Sequence, residues 1–217
     1  MTTSAIANPT SSAHAVTVHN VSKFFGRFPA LLGITADFKA GEVVALLGGN
    51  GSGKSTLLRI IAGLARPSDG SVQATSRLGY MAHASMLYDE MSGVENLQYA
   101  GALYGIASRE HCASAMSSVG LDPGLPRLVR DYSQGMRQRL SLARAIIHDP
   151  DLLLLDEPFS NVDASSATQM LALLDDLKAR GKTILIVTHQ PELLRSLADR
   201  SIVLSDGRVA SDSRGIR

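Results

Sequence analysis

The sequence predicts an α/β fold with a mostly parallel sheet. Three short apolar runs, Val43–Leu47, 152–155 and Thr183–Val187, have the composition of buried parallel strands, and helical patterns follow them. Each run ends at polar residues, and in open α/β sheets ligands bind outside the carboxyl ends of the strands. We therefore expect one crevice in which the polar residues after all three strands meet.

The first of these runs leads into a loop that fits a phosphate-binding motif. Gly48, Gly53, Lys54 and Ser55 match the pattern G-x-x-x-x-G-K-[ST] between a strand and a helix. Glycines let backbone N–H groups approach an anion, and the next helix directs its N-terminus at the same anion. The alternative is a glycine-rich turn that only connects strand to helix. The predicted nucleotide-binding residues are Gly48, Gly49, Asn50, Gly51, Ser52, Gly53, Lys54, Ser55 and Thr56.

Composition narrows the classes of partner. The 217 residues include 21 Lys and Arg and 20 Asp and Glu, for a net charge of +1, which gives no reason to expect nucleic acid as a partner. The single cysteine, Cys112, excludes an internal disulfide and is typical of a reducing compartment. No apolar run approaches the ~18 residues of a membrane span, and no signal sequence opens the chain. We therefore expect any membrane role to depend on a partner subunit.

Before the phosphate loop the pattern is that of strands. Residues 1–15 are rich in Ser, Thr and Ala, which predicts a disordered lead. Strands are expected at 16–21 and 34–38. A turn region that holds Gly26, Pro29 and Gly33 should join them.

After the loop, short strands are expected at 71–73 and 78–81, and the pattern is then helical from residue 83 to 148. Ser133 is a good N-cap for a helix in this region, and Asp163 could cap another over 164–180. The dipeptide Asp206-Gly207 predicts a hairpin near the end of the chain. Further helices are predicted at 95–104, 109–119 and 192–199, and a loop at 120–132.

Two carboxylates and one imidazole follow the second and third buried runs. Asp156 is expected on the Mg²⁺ side of a nucleotide, with Ser55 as the second ligand. Glu157 could orient or deprotonate an attacking water, and Lys54 could reach the β- and γ-phosphates. Because His189 is expected beside these residues, it is a candidate γ-phosphate sensor. The alternatives are that Asp156 only caps a helix or turn, that Glu157 is a solvated acid, and that His189 is structural.

Several further motifs, in order, resemble the nucleotide-binding subunit of an ABC transporter. Residues 132–139, YSQGMRQR, resemble the family signature, whose usual form contains L-S-G-G-Q. Residues 152–157 resemble the Walker B strand, 160–163 the D-loop, and His189 the switch histidine. The match spans about 16–210, and no N-K-x-D motif of a GTPase is present. The resemblance implies a P-loop NTPase core with a mostly parallel sheet, an antiparallel β subdomain and an α-helical subdomain at about 83–150, all within one ATPase domain at 16–217.

The resemblance also implies how the site works. Two ATPase subunits, identical or related, would form a head-to-tail dimer, each ATP lying between one phosphate loop and the other chain's signature. Phe25 would stack on adenine, although a core phenylalanine beside Phe24 is the alternative. The chain would sit at the cytoplasmic face of the membrane, hydrolyse MgATP with Lys54, Glu157 and His189, and drive a separate permease through the surface around 83–104. The residues acting across the dimer would be Ser133, Gln134, Gly135 and, in the D-loop, Asp163.

Three departures from the family pattern matter. Gln134 replaces the first signature glycine and Met136 the final glutamine, so we expect an active enzyme with an altered rate. His83 stands where the family has a glutamine that contacts Mg²⁺ and water, and its charge can vary near neutral pH. With the segments 87–92 and 95–97, it resembles the haem-exporter ATPases of cytochrome c maturation. The alternatives are an ATPase of another exporter (drug, lipid or polysaccharide), a soluble ABC ATPase without transport, and a nucleotide-gated module without turnover.

Overall fold

The structure is a computed structural model that describes residues 14–75, 77–106 and 108–216. Within them the chain forms two sheets and five α-helices, and the predicted α/β fold is confirmed. The predicted disordered lead lies outside the described residues, except for His14 and Ala15, which begin the first strand. The strands are β1 (His14–Phe25), β2 (Phe28–Lys39), β3 (Val43–Leu47), β4 (Asp69–Ala74), β5 (Leu78–Met81), β6 (Leu152–Asp156), β7 (Thr183–Val187), β8 (Arg200–Ser205) and β9 (Arg208–Arg214). The helices are α1 (Lys54–Ile61), α2 (Gly93–Ala102), α3 (Arg109–Ser118), α4 (Gln134–Ile146) and α5 (Ala164–Ala179).

The larger sheet positions the site. Its strand order is β5-β6-β7-β3-β8-β9, and every pair is parallel except the β8–β9 hairpin. The carboxyl ends of β3, β6 and β7 are therefore adjacent, as the sequence predicted. The smaller sheet, β2-β1-β4, is antiparallel.

Both faces of the larger sheet are covered, which explains its continuous apolar strands. Along β6, Leu152 and Leu154 pack toward α1 and the smaller sheet, while Leu153 and Leu155 pack toward α5. A third core joins α2, α3 and α4 around Leu97, Met116 and Leu140. Within the described ranges, no helix is both long enough and apolar enough to cross a membrane.

The turn region predicted between β1 and β2 is right at Gly26 but wrong in extent, because Pro29 and Gly33 belong to β2. The strands continue to Phe25 and Phe28 and are joined by the two residues between them, Gly26 and Arg27. Gly33 lies inside β2 at a register shift, with a φ of 66° and its N–H donating to Ser22 Oγ at 2.9 Å. A glycine with positive φ serves a β-bulge as readily as a turn, so the residue type alone did not distinguish them.

The helix predicted at 192–199 is also wrong, and α2 starts earlier than expected. After β7 the chain forms a short 3₁₀ helix, Pro191–Leu194, and Asp199 then binds the start of β3, with its N–H donating to Val43 O at 2.9 Å. Between these two points, residues 195–197 form a turn and do not continue the helix. In α2, Ser92 accepts from the N–H of Glu95 and Glu95 binds back to the N–H of Ser92, which places the start at Gly93.

Candidate active site

A cavity of about 520 Å³ lies at the carboxyl ends of β3, β6 and β7. It collects most of the predicted site residues from the phosphate loop and from the ends of β6 and β7. Ala30 and Ser160 also line it, and the sequence analysis did not assign them to the site. The lining residues are Phe25, Ala30, Asn50, Gly51, Ser52, Gly53, Lys54, Ser55, Thr56, His83, Asp156, Glu157, Ser160 and His189.

The phosphate loop needs glycine at two positions. Gly48 has a φ of 137°, and a Cβ there would lie 2.2 Å from Leu204 O. Gly53 has a φ of 103°, and its Cβ would lie 2.5 Å from Ala30 O. Both conformations are rare for residues with side chains, so the loop can hold its shape only with these glycines. Helix α1 begins directly after Gly53, so its N-terminus, with the free N–H groups of the first turn, faces the cavity.

The Lys54 ammonium is held above the loop. Its Nζ donates hydrogen bonds to Gly48 O and Gly49 O, each at 2.8 Å, and the residue is only 6% exposed. Burial lowers the pKa of Lys54, while the nearby carboxylates of Glu157 and Asp156 act in the opposite direction. The ammonium is therefore confined beside a set of donors that suits an anion.

Ser55 and Asp156 form a compact oxygen pair. Ser55 Oγ donates to Asp156 Oδ1 at 2.9 Å, and Asp156 is only 4% exposed. Such hard oxygen ligands suit Mg²⁺, which commonly takes one or two protein ligands and completes its shell with water and phosphate. Among the described residues no group of three or more His, Cys, Asp or Glu is placed to hold a metal.

We expect Asp156→Asn to raise the melting temperature of the metal- and nucleotide-free protein at pH 7. Burial raises the pKa of Asp156 above its ordinary value of 3.8, although the Ser55 hydrogen bond opposes this. The protonated form of Asp156 is thus the one that the fold favours. Its contribution to stability is complete below pH 3.8 and is lost as pH rises through the pKa of the folded state. Differential scanning calorimetry in EDTA at several pH values measures this, and the advantage of Asn should shrink as pH falls toward 3.8.

Asp149 provides a control of opposite sign. A hydrogen bond from Lys182 lowers the pKa of Asp149, so the ionised carboxylate stabilises the fold at pH values above the ordinary pKa of 3.8. Asp149→Asn should lower the melting temperature at pH 7, and only slightly, because the Asp149 carboxylate is exposed. A fall in melting temperature for Asp156→Asn would contradict the description of Asp156 as a carboxylate destabilised by burial.

Glu157 and His189 are adjacent across the ends of β6 and β7. Glu157 adopts a φ of 56°, uncommon for a residue with a side chain, and its N–H donates to Val187 O at 2.9 Å. One carboxylate oxygen, Oε2, accepts a hydrogen bond from the backbone N–H of His189 at 3.2 Å. The other, Oε1, lies 3.2 Å from His189 Nε2 and accepts no hydrogen bond within the described residues. One acceptor of Glu157 is therefore left unsatisfied beside the His189 ring.

The signature residues are placed elsewhere. Ser133 caps α4, its Oγ accepting from Met136 N at 3.2 Å, and Ser133 and Gln134 are exposed. A Cβ at Gly135 would lie 2.5 Å from Ser166 Oγ, which in turn donates to Asp163 Oδ2 at 2.8 Å. Neither these three signature positions nor Asp163 is among the residues that line the cavity. One chain therefore does not bring the predicted signature to its own phosphate loop.

Two other predicted residues lie at the edges of the cavity. Phe25 lines it and is 56% exposed, so it is not a core phenylalanine; neighbouring Phe24 is 44% exposed. Lys23 Nζ lies 5.2 Å from the centroid of the Phe25 ring. His83 is exposed on the cavity side, where a positive charge would favour the ionised form of Asp156 and so lower its pKa.

Of the two lining residues that were not predicted, only Ser160 could have been recognised from the sequence. Ser160 follows Glu157 closely in the D-loop segment, and its N–H donates to Glu157 O at 3.2 Å, so proximity could have suggested it. Ala30 reaches the cavity only because β1 and β2 form a longer hairpin than predicted. No side-chain chemistry marks it.

Comparison with known proteins shows which family has a similar sequence. A family model described as "ABC transporter" matches residues 31–160. The aliphatic sulfonates import ATP-binding protein SsuB of Mycobacterium sp. (strain MCS) is 42% identical over 207 residues, which are 94% of this chain and 84% of that protein. The ABC transporter ATP-binding protein NatA of Bacillus subtilis (strain 168) is 37% identical over 196 residues, covering 83% and 80% of the two chains.

A solved structure agrees with these relatives. The ATP-binding cassette MJ0796, in a dimeric post-hydrolysis state bound to ADP and Pi, superposes with a TM-score of 0.84 at 26% identity, over 92% of this chain and 98% of the other. Both the fold and the sequence of the described residues thus match ATP-binding cassettes. The chain therefore belongs to the ABC transporter family: it is an ATP-binding subunit and ATPase of the kind that dimerises and works with a membrane permease component.

Proposed function

We propose that two such chains, identical or related, hydrolyse MgATP at a head-to-tail interface, each completing the other's site. The observation that carries this proposal is the separation of the two halves of the site. The cavity contains the phosphate loop, Asp156, Glu157 and His189, whereas the exposed N-terminus of α4 lies outside it. Ser133 and Gly135, at a helix N-terminus, can bind an anion only if a second chain presents one.

Each cavity residue has a role that its environment supports. The loop N–H groups and the Lys54 ammonium bind the phosphates, and Phe25 offers an exposed ring face to adenine. Ser55 and Asp156 would hold Mg²⁺, which neutralises charge on the phosphates. Glu157 orients or deprotonates the attacking water, and His189 positions both the Glu157 carboxylate and the γ-phosphate.

The rate of hydrolysis per chain tests the shared site. We expect the specific activity to rise with protein concentration until dimers saturate, because each site requires two chains. Ser133→Arg should abolish that activity while leaving equilibrium ATP binding to the isolated chain within about twofold, since Ser133 does not line the cavity. Specific activity that is constant over a wide concentration range and insensitive to Ser133→Arg would contradict the shared site. Ser117→Arg, the same change at an exposed serine of α3, provides a matched surface control.

The cargo is a finer question. His83 at the cavity, in place of the usual glutamine, supports the proposal that the transporter exports haem for cytochrome c biogenesis. The 42% identity with a sulfonate import subunit favours a second candidate, import of a small sulfonate. In either case the chain would be peripheral, at the cytoplasmic face of the membrane, and would contact no nucleic acid.

One assay distinguishes the two cargoes. The chain is co-reconstituted into vesicles with its permease subunit, and ATP hydrolysis is measured with haem or with an aliphatic sulfonate and its binding protein. Haem export predicts stimulation by haem alone. Stimulation by the sulfonate alone would contradict haem export and support the second candidate.

A further inference from the structure

The ring of Phe25, at the edge of the cavity, has a charged neighbour. Lys23 precedes it by two residues on β1, and the Lys23 Nζ lies over the ring, 5.2 Å from its centroid. An ammonium within about 6 Å of a ring centroid is attracted to the negative face of the ring. The ammonium thus occupies one face of Phe25. Since the ring is 56% exposed and lines the cavity, the opposite face is left for a flat ligand.

A backbone acceptor fixes the position of this ammonium. Lys23 Nζ donates a hydrogen bond to Arg66 O at 2.8 Å, in the segment 66–68 that follows α1. Among the described residues Lys23 forms no ion pair, so no carboxylate draws its charge away from the ring. An ammonium has three N–H donors, and the bond to the carbonyl leaves two of them for the ring and for water.

The segment 66–68 also holds the backbone before the ring. The Phe24 N–H donates to Ser68 Oγ at 3.1 Å, and the Ser68 N–H donates to Ser22 O at 2.8 Å. These bonds join the end of β1 to the chain that leaves α1, the helix of the phosphate loop. They restrain the main chain at Phe24, whereas the Lys23 ammonium is in contact with the Phe25 ring itself.

We propose that Lys23 is a positioning residue for the nucleobase, whose ammonium holds the Phe25 ring in the orientation in which its free face stacks on adenine. The inference rests on the proposed function, in which Phe25 stacks on the base, and adds the residue that orients the ring. The cation draws electron density toward one face, which makes the other face a better partner for an electron-rich purine. A ring that is already oriented also loses less freedom on binding. Lys23 does not line the cavity, so it acts through Phe25.

A lysine near the site also attracts the phosphates of ATP at long range, and the test must separate this effect from the proposed one. Long-range attraction does not depend on the Phe25 ring, whereas the proposed contact does. A double-mutant cycle on Lys23 and Phe25 therefore isolates the contact. The dissociation constant of the non-hydrolysable ATP analogue AMP-PNP with the full chain is measured by isothermal titration calorimetry.

We expect Lys23→Met to weaken binding of the analogue about threefold in the wild-type chain, the size of one exposed cation–ring contact. In the Phe25→Ala background the same substitution should change the dissociation constant by less than about 1.5-fold. Lys23→Arg should keep the wild-type affinity, since a guanidinium can also lie over the ring and donate to Arg66 O. Lys39→Met removes an equal charge from an exposed site on β2 and should have no effect.

Turnover distinguishes positioning of the base from a general structural role. For Lys23→Met the KM for MgATP should rise about threefold, while kcat changes by less than about twofold, because the base is not the reacting part of the nucleotide. The melting temperature of the nucleotide-free variant should stay close to that of the wild type. A fall in kcat equal to the rise in KM would contradict a role confined to the base.

The remaining outcomes separate this inference from the proposed function. Phe25→Ala should weaken binding about fivefold or more through the lost stacking. If it does so, and Lys23→Met has no effect or an equal effect in both backgrounds, or Lys23→Arg binds as weakly as Lys23→Met, this inference alone is overturned. If Phe25→Ala binds the analogue as tightly as the wild type, the proposed stacking falls and this inference with it. Binding of the analogue requires neither turnover nor a second chain, so the shared site is tested independently.

Discussion

Replacing Glu157 with Gln lowers the rate constant for ATP hydrolysis by about 10²–10⁴-fold, the usual contribution of a general base. The amide can still accept a hydrogen bond from the His189 N–H, so the local structure and ATP binding are retained. The loss should appear in kcat, measured as phosphate release at saturating MgATP. The dissociation constant for ATP should stay within a few-fold of the wild-type value.

Glu110 supplies the matched control for this substitution. It is an exposed acid on α3, distant from the cavity, and Glu110→Gln should leave kcat unchanged. Hydrolysis by Glu157→Gln at the wild-type rate would remove Glu157 from its role as the residue that acts on water.

Lys54→Met weakens the binding of MgATP by about 2–5 kcal/mol, as expected when one member of a buried charge pair is removed. Without the ammonium, the negative β- and γ-phosphates lose the one cation of the phosphate loop. Because burial lowers the pKa of Lys54, its charge is not favourable to the nucleotide-free fold, and Met should keep the melting temperature close to that of the wild type. Isothermal titration with ATP and calorimetry of the free protein measure the two quantities separately.

Lys39 offers the comparison for Lys54. It is exposed at the end of β2, and Lys39→Met should change neither affinity nor melting temperature appreciably. An unchanged affinity for Lys54→Met would contradict the placement of the phosphates beside its ammonium. A large fall in melting temperature would instead indicate that the two carbonyl hydrogen bonds of Lys54 hold the loop in shape.

Much of the fold and the cavity could be predicted from the sequence because short-range patterns determine them. Buried parallel strands are apolar throughout, and glycines, lysine and serine at fixed spacing specify a phosphate loop. The end of each strand then places Asp156, Glu157 and His189 at one edge, since parallel strands bring their carboxyl ends together. The caps Ser133 and Asp163 also followed from local chemistry alone.

The remainder depends on contacts between distant parts of the chain. Gly33 serves a bulge rather than a turn because β1 continues beside it. Asp199 pairs with Val43 at the start of β3, a contact between distant parts of the chain, where a helix was predicted. Ala30 reaches the cavity through the extended hairpin without any distinctive side chain.

The most direct test of the shared site is the assembly state of Glu157→Gln with saturating MgATP, measured by sedimentation velocity over a wide range of concentrations. We predict a dimer that retains ATP, forms only with nucleotide, and is lost when Ser133→Arg is added to the same chain. A variant that binds ATP yet stays monomeric at every concentration, or a dimer that is indifferent to Ser133→Arg, would contradict the claim that each chain completes the other's site.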